Sequence, residues 1–313
     1  MKSARLGPPK VEDDDGDLGA PDRFSAALFE DLASGELELP SMPAAIATAL
    51  AHLDDPAASL RDVAAILARD PALAAQCLRA ANSALRAPRA PIHSLADAVA
   101  RLGSSNVREM LAVEALRAGV FRAGSVPAGL LQRLWTHAAR AAVAAREVAI
   151  LARVDVDSAL LVGLLHDVGR PLALGLLAGV QRRLGELMAP ADLRSAVDAL
   201  HGPLGAILVG EWNLPTHLGA AAQHHHGWER EETHRSAALL AQLADQLEHL
   251  SASHKPAPPS FTALAEGFGV DPAAALERVR SAPFAALAAG LRLPTVTPDC
   301  DARLRRPLAA RNR

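Results

Sequence analysis

Four histidine-containing segments and one isolated aspartate stand out in a sequence rich in alanine and leucine. Imidazole and carboxylate groups bind divalent cations, and groups from different helices can converge inside a helical bundle. A cation there offsets the free-energy cost of taking these polar groups out of water. The sequence therefore predicts a divalent-cation site, with candidate ligands His137, His166, Asp167, His201, His224, His225, His226 and Asp245.

Each of these residues also has an ordinary structural explanation. A single histidine on an apolar helix face, such as His137, is more often a packed or hydrogen-bonded core residue than a ligand. An aspartate beside a histidine can simply fix the tautomer of that histidine. Asp245 could be a solvated or capping carboxylate, and the histidine run a loop feature. The hypothesis of a metal site therefore depends on the joint pattern rather than on any one residue.

Helices must position these residues, and we expect an all-α fold. Aromatic residues make up only 3% of the chain, and the alternation of β-branched residues that is typical of strands is almost absent. Residues 131–151 carry an apolar stripe at helical spacing that includes His137. Residues 159–165 are apolar all round, which is typical of a helix buried at the centre of a bundle. That central helix runs directly into His166 and Asp167.

Several helix boundaries have local signals in the sequence. Asp70 before Pro71 predicts a helix start with a side-chain cap and proline in the first turn. Ser94 or Asp97 is expected to cap a later helix, which Gly103 is expected to end. Gly169, close to a further proline, is expected to bend or end the central helix.

Composition limits the classes of partner. The 32 basic and 35 acidic residues give a formal net charge of −3, so the chain as a whole does not attract nucleic acid or anionic lipid. The arginine-rich tail, 303–313, has no interleaved aromatic residues, and we expect neither a nucleic-acid nor a membrane partner.

Two cysteines, Cys77 and Cys300, are too few for a disulfide framework. No signal segment and no apolar stretch of about 20 residues is evident, so we expect a cytoplasmic protein.

Six motifs in order resemble the HDOD family, the HD-related output domains of bacterial signalling proteins, within the HD superfamily of metal-dependent phosphohydrolases. They cover about residues 35–245. The motifs are LPSMP (39–43), ARDPALAAQCLRAANSA (68–84), PIHSLADAVARLG (91–103), LWTHA (134–138), LLVGLLHDVGR (160–170) and EWNLPTHLGAAAQHHH (211–226).

The resemblance implies a two-lobed helical fold and a ligand set. An HDOD-specific lobe is expected over 35–125 and an HD-like bundle over 126–245, between a disordered leader (1–22) and a linker, C-terminal helices and basic tail (246–313). A first metal is assigned four ligands: His137, His166, Asp167 and Asp245. A second is assigned His201 and two consecutive histidines, which are His225 and His226 in the usual helix register, or His224 and His225 after a shift of one residue. The metal could be Fe, Mn, Mg or Zn.

The resemblance leaves two functions open. The GYP-type signature of the cyclic-di-GMP phosphodiesterases is absent, since the histidine run continues GWEREETH, and Arg170 stands where those enzymes usually carry lysine. Arginine stays charged and cannot transfer a proton near neutral pH. We therefore expect a stand-alone regulatory output module, non-catalytic or weakly active, that binds a signalling protein partner or a nucleotide second messenger. The alternative is a metal-dependent phosphohydrolase of nucleotides or cyclic nucleotides, in which the ions would activate a water that Asp167 bridges or orients.

Overall fold

Every regular element in the described residues is a helix, which confirms the predicted all-α class. The computed structural model describes residues 19–82, 91–122, 124–253 and 256–281. A short 3-10 helix, Trp228–Arg230, follows the tenth α-helix. The α-helices of the described residues are α1 (Ala20–Ser34), α2 (Ala44–Asp54), α3 (Leu60–Leu67), α4 (Pro71–Ala81), α5 (Leu95–Gly119), α6 (Ala128–Ala152), α7 (Val156–Leu165), α8 (Gly169–Leu184), α9 (Pro190–Glu211), α10 (Thr216–His224), α11 (Arg235–Ala252), α12 (Pro259–Gly267) and α13 (Pro272–Arg280).

Helices α2–α5 pack on one another and form a first lobe. Asp70 caps α4 by accepting hydrogen bonds from two backbone amides, and Ser94 caps α5, as predicted. The prediction that Gly103 ends the helix after Ser94 is confirmed. Gly103 has non-helical dihedral angles, φ 77° and ψ 167°, so α5 consists of two helical segments that meet at a kink there, the second of which runs to residue 119. Glycine adopts this positive φ without the steric cost that a Cβ atom brings.

Helices α6–α11 form a second lobe around α7, which contacts α6, α10 and α11. The side chains of Leu164 and Leu165 are almost completely buried, as the apolar sequence of α7 predicts. Within the described residues, the stretch Ser158–Leu184 is long and apolar enough to cross a bilayer, but 78% of its most apolar window is buried inside the protein. This burial is typical of a core helix, and it satisfies the apolar surface without lipid.

The terminal helices pack on the second lobe. Helix α1 contacts α8 and α9, with Phe24 and Leu28 buried and the Asp31 carboxylate 2.8 Å from the Arg183 guanidinium. Residues 20–22, which the sequence assigned to the leader, form the first turn of α1. Helices α12 and α13 pack on α11. Residues 1–18, the arginine tail and Cys300 lie outside the described residues.

Candidate metal centre

Five elements of the second lobe bring the candidate ligands together. His137 lies in α6, and His166 and Asp167 lie in the short turn between α7 and α8. The other ligands are supplied by α9, by the residues that follow α10, and by α11: His201, His225, His226 and Asp245.

The turn between α7 and α8 is held against α9 by a close backbone approach at Gly169. A Cβ atom built on Gly169 would lie 1.8 Å from the carbonyl oxygen of His201. Side chains other than hydrogen would not fit there, because real Cβ contacts essentially never fall below 3.0 Å. The glycine therefore fixes how near Asp167 comes to His201.

A first cluster surrounds the imidazole of His137. Its Nε2 atom lies 3.1 Å from Nε2 of His166, 3.3 Å from Oδ1 of Asp245 and 3.5 Å from Oδ2 of Asp167. Nε2 of His166 lies 3.8 Å from the same oxygens of Asp167 and Asp245. Neighbouring ligands that are each about 2.1 Å from one ion are about 3.0 to 3.4 Å apart. The shorter of these separations match that range, so one ion could bind His137, His166 and Asp245, which form one candidate group beside Asp167.

A second cluster lies on the other side of Asp167. Its Oδ1 atom is 3.5 Å from Nε2 of His225 and 3.6 Å from Nε2 of His201. The more exposed His226 supplies a further nitrogen, and the ligand atoms of these four residues all lie within 4.8 Å of one another. Asp167 thus directs one oxygen to each cluster, the arrangement expected of a carboxylate that bridges two ions.

His137 and the three buried histidines are oriented as metal ligation requires. In each of them Nδ1 is hydrogen-bonded to an acceptor, so Nε2 faces the cluster and can present a lone pair there. These contacts join His166 to Gly163 O (2.8 Å), His201 to Asp198 O (2.7 Å), His225 to Ala222 O (3.0 Å) and His137 to Glu248 Oε2 (3.2 Å).

The second cluster also contains buried polar atoms that need a partner. Oδ1 of Asp167, Nε2 of His201 and Nε2 of His225 have no hydrogen-bond partner among the described residues. Leaving such atoms buried and unsatisfied costs about 1 to 3 kcal/mol each. A divalent cation would satisfy all three at once, so the residues present fit a metal at this position.

The titration of the first cluster reflects strong coupling between its charges. Burial alone would lower the pKa of His137, but hydrogen bonds to Asp167 and Glu248 and the charge of Asp245 outweigh it and raise the pKa to about 10. Burial alone would raise the pKa of Asp245, but hydrogen bonds from His166 and His249 hold it well below its usual range. Both carboxylates of the cluster are therefore ionised near neutral pH.

Arg170 adds a fixed positive charge beside the bridging carboxylate. Its Nε donates to Oδ2 of Asp167 at 2.7 Å, and its NH1 donates to Oδ1 of Asp198 at 2.6 Å. Burial alone would raise the pKa of Asp167, but His166, His137, His225 and Arg170 together lower it far below its usual range. Arg170 therefore holds the carboxylate ionised and oriented.

The structure distinguishes the two registers of the histidine run and adds residues that the sequence reasoning missed. His224 points away from the clusters, with Nε2 3.5 Å from Oε2 of Glu231, whereas His225 and His226 belong to the second cluster. Glu248 and His249 lie beside His137 and were not foreseen. The spacing of three residues between Asp245 and Glu248 places both on one helix face, and it was the available signal.

The described residues form an all-helical bundle with two adjoining clusters of histidine and aspartate, which is the class of helical protein with a candidate metal centre. Comparison with known proteins gives its family. The HDOD domain profile matches residues 39–228, which is most of the chain. The chain therefore belongs to the HDOD family, as its motifs suggested.

Solved structures share the fold. A provisionally named metal-dependent phosphohydrolase from Shewanella amazonensis is 19% identical, with 87% of this chain and 99% of that chain covered and a TM-score of 0.69. An HDOD domain protein of unknown function from Geobacter sulfurreducens is 23% identical, with 86% and 97% covered and a TM-score of 0.65. A provisionally named signal transduction protein from Marinobacter aquaeolei is 21% identical, with 87% and 66% covered and a TM-score of 0.63.

A sequence relative is considerably longer than this chain. An uncharacterised protein from Treponema pallidum is 25% identical over an alignment of 200 residues that covers 60% of this chain and 38% of that protein. The similarity thus spans less than half of that relative's length.

Proposed function

We propose that this chain is an HDOD signalling module whose second lobe binds two divalent cations and, through them, a phosphate-bearing nucleotide. The observation that carries the proposal is the placement of Asp167, which directs one oxygen to each cluster of ring nitrogens. The first metal would be held by His137, His166, Asp167 and Asp245. The second would be held by Asp167, His201, His225 and His226.

Charge supports an anionic ligand. The two ligand carboxylates, Asp167 and Asp245, neutralise only half of the charge of two divalent ions, so the loaded site carries net positive charge. The ions would supply Lewis-acid attraction for phosphoryl oxygens and could activate water. Among the residues nearby, Arg170 adds a permanent positive charge.

Exposure indicates the side from which a ligand approaches. His166, His201 and His225 are buried and form the floor of the site. His226 is exposed, and the side chain of His249 is 66% exposed. A nucleotide would therefore reach the clusters between His226 and His249.

A second candidate function is phosphoester hydrolysis, which the complete ligand set favours. Arg170, which donates to Asp167, favours binding without turnover, because a guanidinium offers no proton for transfer near neutral pH. Product formation separates the two functions.

Titration calorimetry with Mn²⁺-loaded protein tests the proposal against a panel of cyclic dinucleotides and nucleoside 5′-phosphates. We expect at least one nucleotide to bind, binding to be lost with EDTA or in Asp167→Asn, and Asp54→Asn, which removes an exposed carboxylate of the first lobe, to bind normally. Chromatography of the same mixtures shows whether product accumulates. Absence of nucleotide binding to the metal-loaded protein, or binding that survives both EDTA and Asp167→Asn, would contradict the proposal.

We further propose that the lobe over 35–125 transmits the state of the lobe over 126–245 to a signalling protein partner. The start of α8 carries Arg170, and Pro171 and Leu172 follow it in the wall of a cavity of about 240 Å³. Gly119 and Val120 at the end of α5 line the same cavity. Slower or faster hydrogen exchange in residues 113–122 on nucleotide binding would support this coupling, and unchanged exchange would oppose it.

A further inference from the structure

We propose that Glu248 is a positioning residue that orients His137 and strengthens it as a metal ligand, an inference that rests on the metal centre proposed above. Oε2 of Glu248 lies 3.2 Å from Nδ1 of His137. Nε2 of the same ring faces His166, Asp167 and Asp245. One imidazole thus joins the carboxylate of Glu248 to the cluster.

The two helices that carry these residues repeat the same spacing. Asp245 and Glu248 are three residues apart in α11, and His137 and Arg140 are three residues apart in α6, so each pair shares one helix face. Nε of Arg140 lies 3.2 Å from Oε1 of Glu248, and its NH2 donates to Oγ of Ser251 at 3.1 Å. Helix α11 therefore supplies a ligand and the carboxylate that supports His137, and α6 supplies His137 and an arginine that pairs with that carboxylate.

His137 differs from the three buried histidines in its acceptor. His166, His201 and His225 are hydrogen-bonded through Nδ1 to main-chain carbonyls, which no substitution at the acceptor residue removes. His137 is hydrogen-bonded to a carboxylate, which makes the ring more basic and its Nε2 a stronger ligand. Glu248 is 8% exposed, so little water competes for this contact. The first metal should therefore depend on Glu248, and the second should not.

The test uses Glu248→Ala and Glu248→Gln in the full chain, with Glu147→Gln as the matched control. Glu147 lies in α6, is 13% exposed and pairs with Arg278 instead of a cluster residue. Competition with a chromogenic chelator measures the affinity of each metal position for Zn²⁺. We expect the first position to weaken by about 10- to 100-fold in Glu248→Ala, with a smaller loss in Glu248→Gln, which keeps an acceptor oxygen. The second position and the control should be unchanged.

A second readout requires no metal. In protein with ¹⁵N-labelled histidine rings, the Nδ1 proton of His137 should resonate far downfield because it is donated to a carboxylate. We expect that signal to shift upfield or exchange away in Glu248→Ala, to move less in Glu248→Gln and to persist in Glu147→Gln. If Glu248 merely paired with Arg140, its loss would lower the melting temperature and leave this signal and the metal affinities unchanged.

The outcomes separate this inference from the proposed function. If the wild-type protein binds no ion, the proposed metal centre is wrong. If it binds two ions and folded Glu248→Ala binds both with wild-type affinity, only the role of Glu248 is wrong. Should Glu248→Ala not fold, the affinity and ring signal of Glu248→Gln decide, and wild-type values for both would overturn the inference.

Discussion

Replacing Gly169 by alanine should separate the two metal clusters. The added Cβ would meet the carbonyl oxygen of His201 at 1.8 Å, whereas ordinary contacts begin near 3.4 Å. The obstruction is main chain, which cannot rotate away as a side chain can. Helices α8 and α9 must therefore move apart by about 1.6 Å at this point.

The displacement is large compared with the tolerance of the site. Oδ1 of Asp167 lies 3.6 Å from Nε2 of His201, and two ligands of one ion can be at most about 4.2 Å apart when each bond is about 2.1 Å. Moving the helices apart carries this pair beyond that limit. Overpacking of this kind costs about 1 to 3 kcal/mol, and we expect a value near the upper end because the clash is with backbone.

Gly175→Ala in the same helix is the matched control. A Cβ on Gly175 would meet no atom of the described residues within 4 Å, so alanine there should stabilise the protein by about 0.5 to 1 kcal/mol through helix propensity. Urea denaturation and bound metal per chain are measured on both variants. We expect Gly169→Ala to be less stable and to lose the second ion. A Gly169→Ala protein with wild-type stability and two bound ions would refute the reasoning.

Two further predictions concern the first cluster and the first lobe. The pKa of His137 is raised to about 10. The protonated ring therefore stabilises the metal-free protein fully below pH 6.5, and this stabilisation is lost as pH rises through 10. A metal must displace this proton, so the apparent affinity of the first position should rise about tenfold per unit between pH 7 and 9; calorimetry that shows no proton release would contradict this. The Asn82 side chain makes hydrogen bonds to both backbone groups of Ile92 and to Leu78 O. Asn82→Ala should therefore cost about 2 kcal/mol in urea denaturation with metal content unchanged, and a variant of wild-type stability would count against that role.

The sequence was most informative where chemistry requires particular residue types. His166 and Asp167 follow an apolar stretch that is typical of a buried helix in a chain with little strand character, so their place at the end of α7 was predictable. The register of the histidine run was not, because the pairs His224–His225 and His225–His226 are both compatible with the spacing. The structure distinguishes them, since His224 at the end of α10 faces Glu231.

Other features depended on contacts between distant parts of the chain. The docking of α1 on α8 and α9 depends on Asp31 and Arg183, which are far apart in sequence. Glu248 resembled an ordinary surface residue of an amphipathic helix until the structure placed it against His137.

Metal content per chain is the most direct test of the central claim. Wild-type protein and Asp167→Asn would be reconstituted with Mn²⁺ or Zn²⁺, freed of excess metal and analysed by inductively coupled plasma mass spectrometry, with circular dichroism as a check of folding. We predict two ions per chain in the wild type and a loss of bound metal in Asp167→Asn, because the carboxylate serves both clusters. Folded wild-type protein without bound metal, or Asp167→Asn that retains two ions, would contradict the bridged centre.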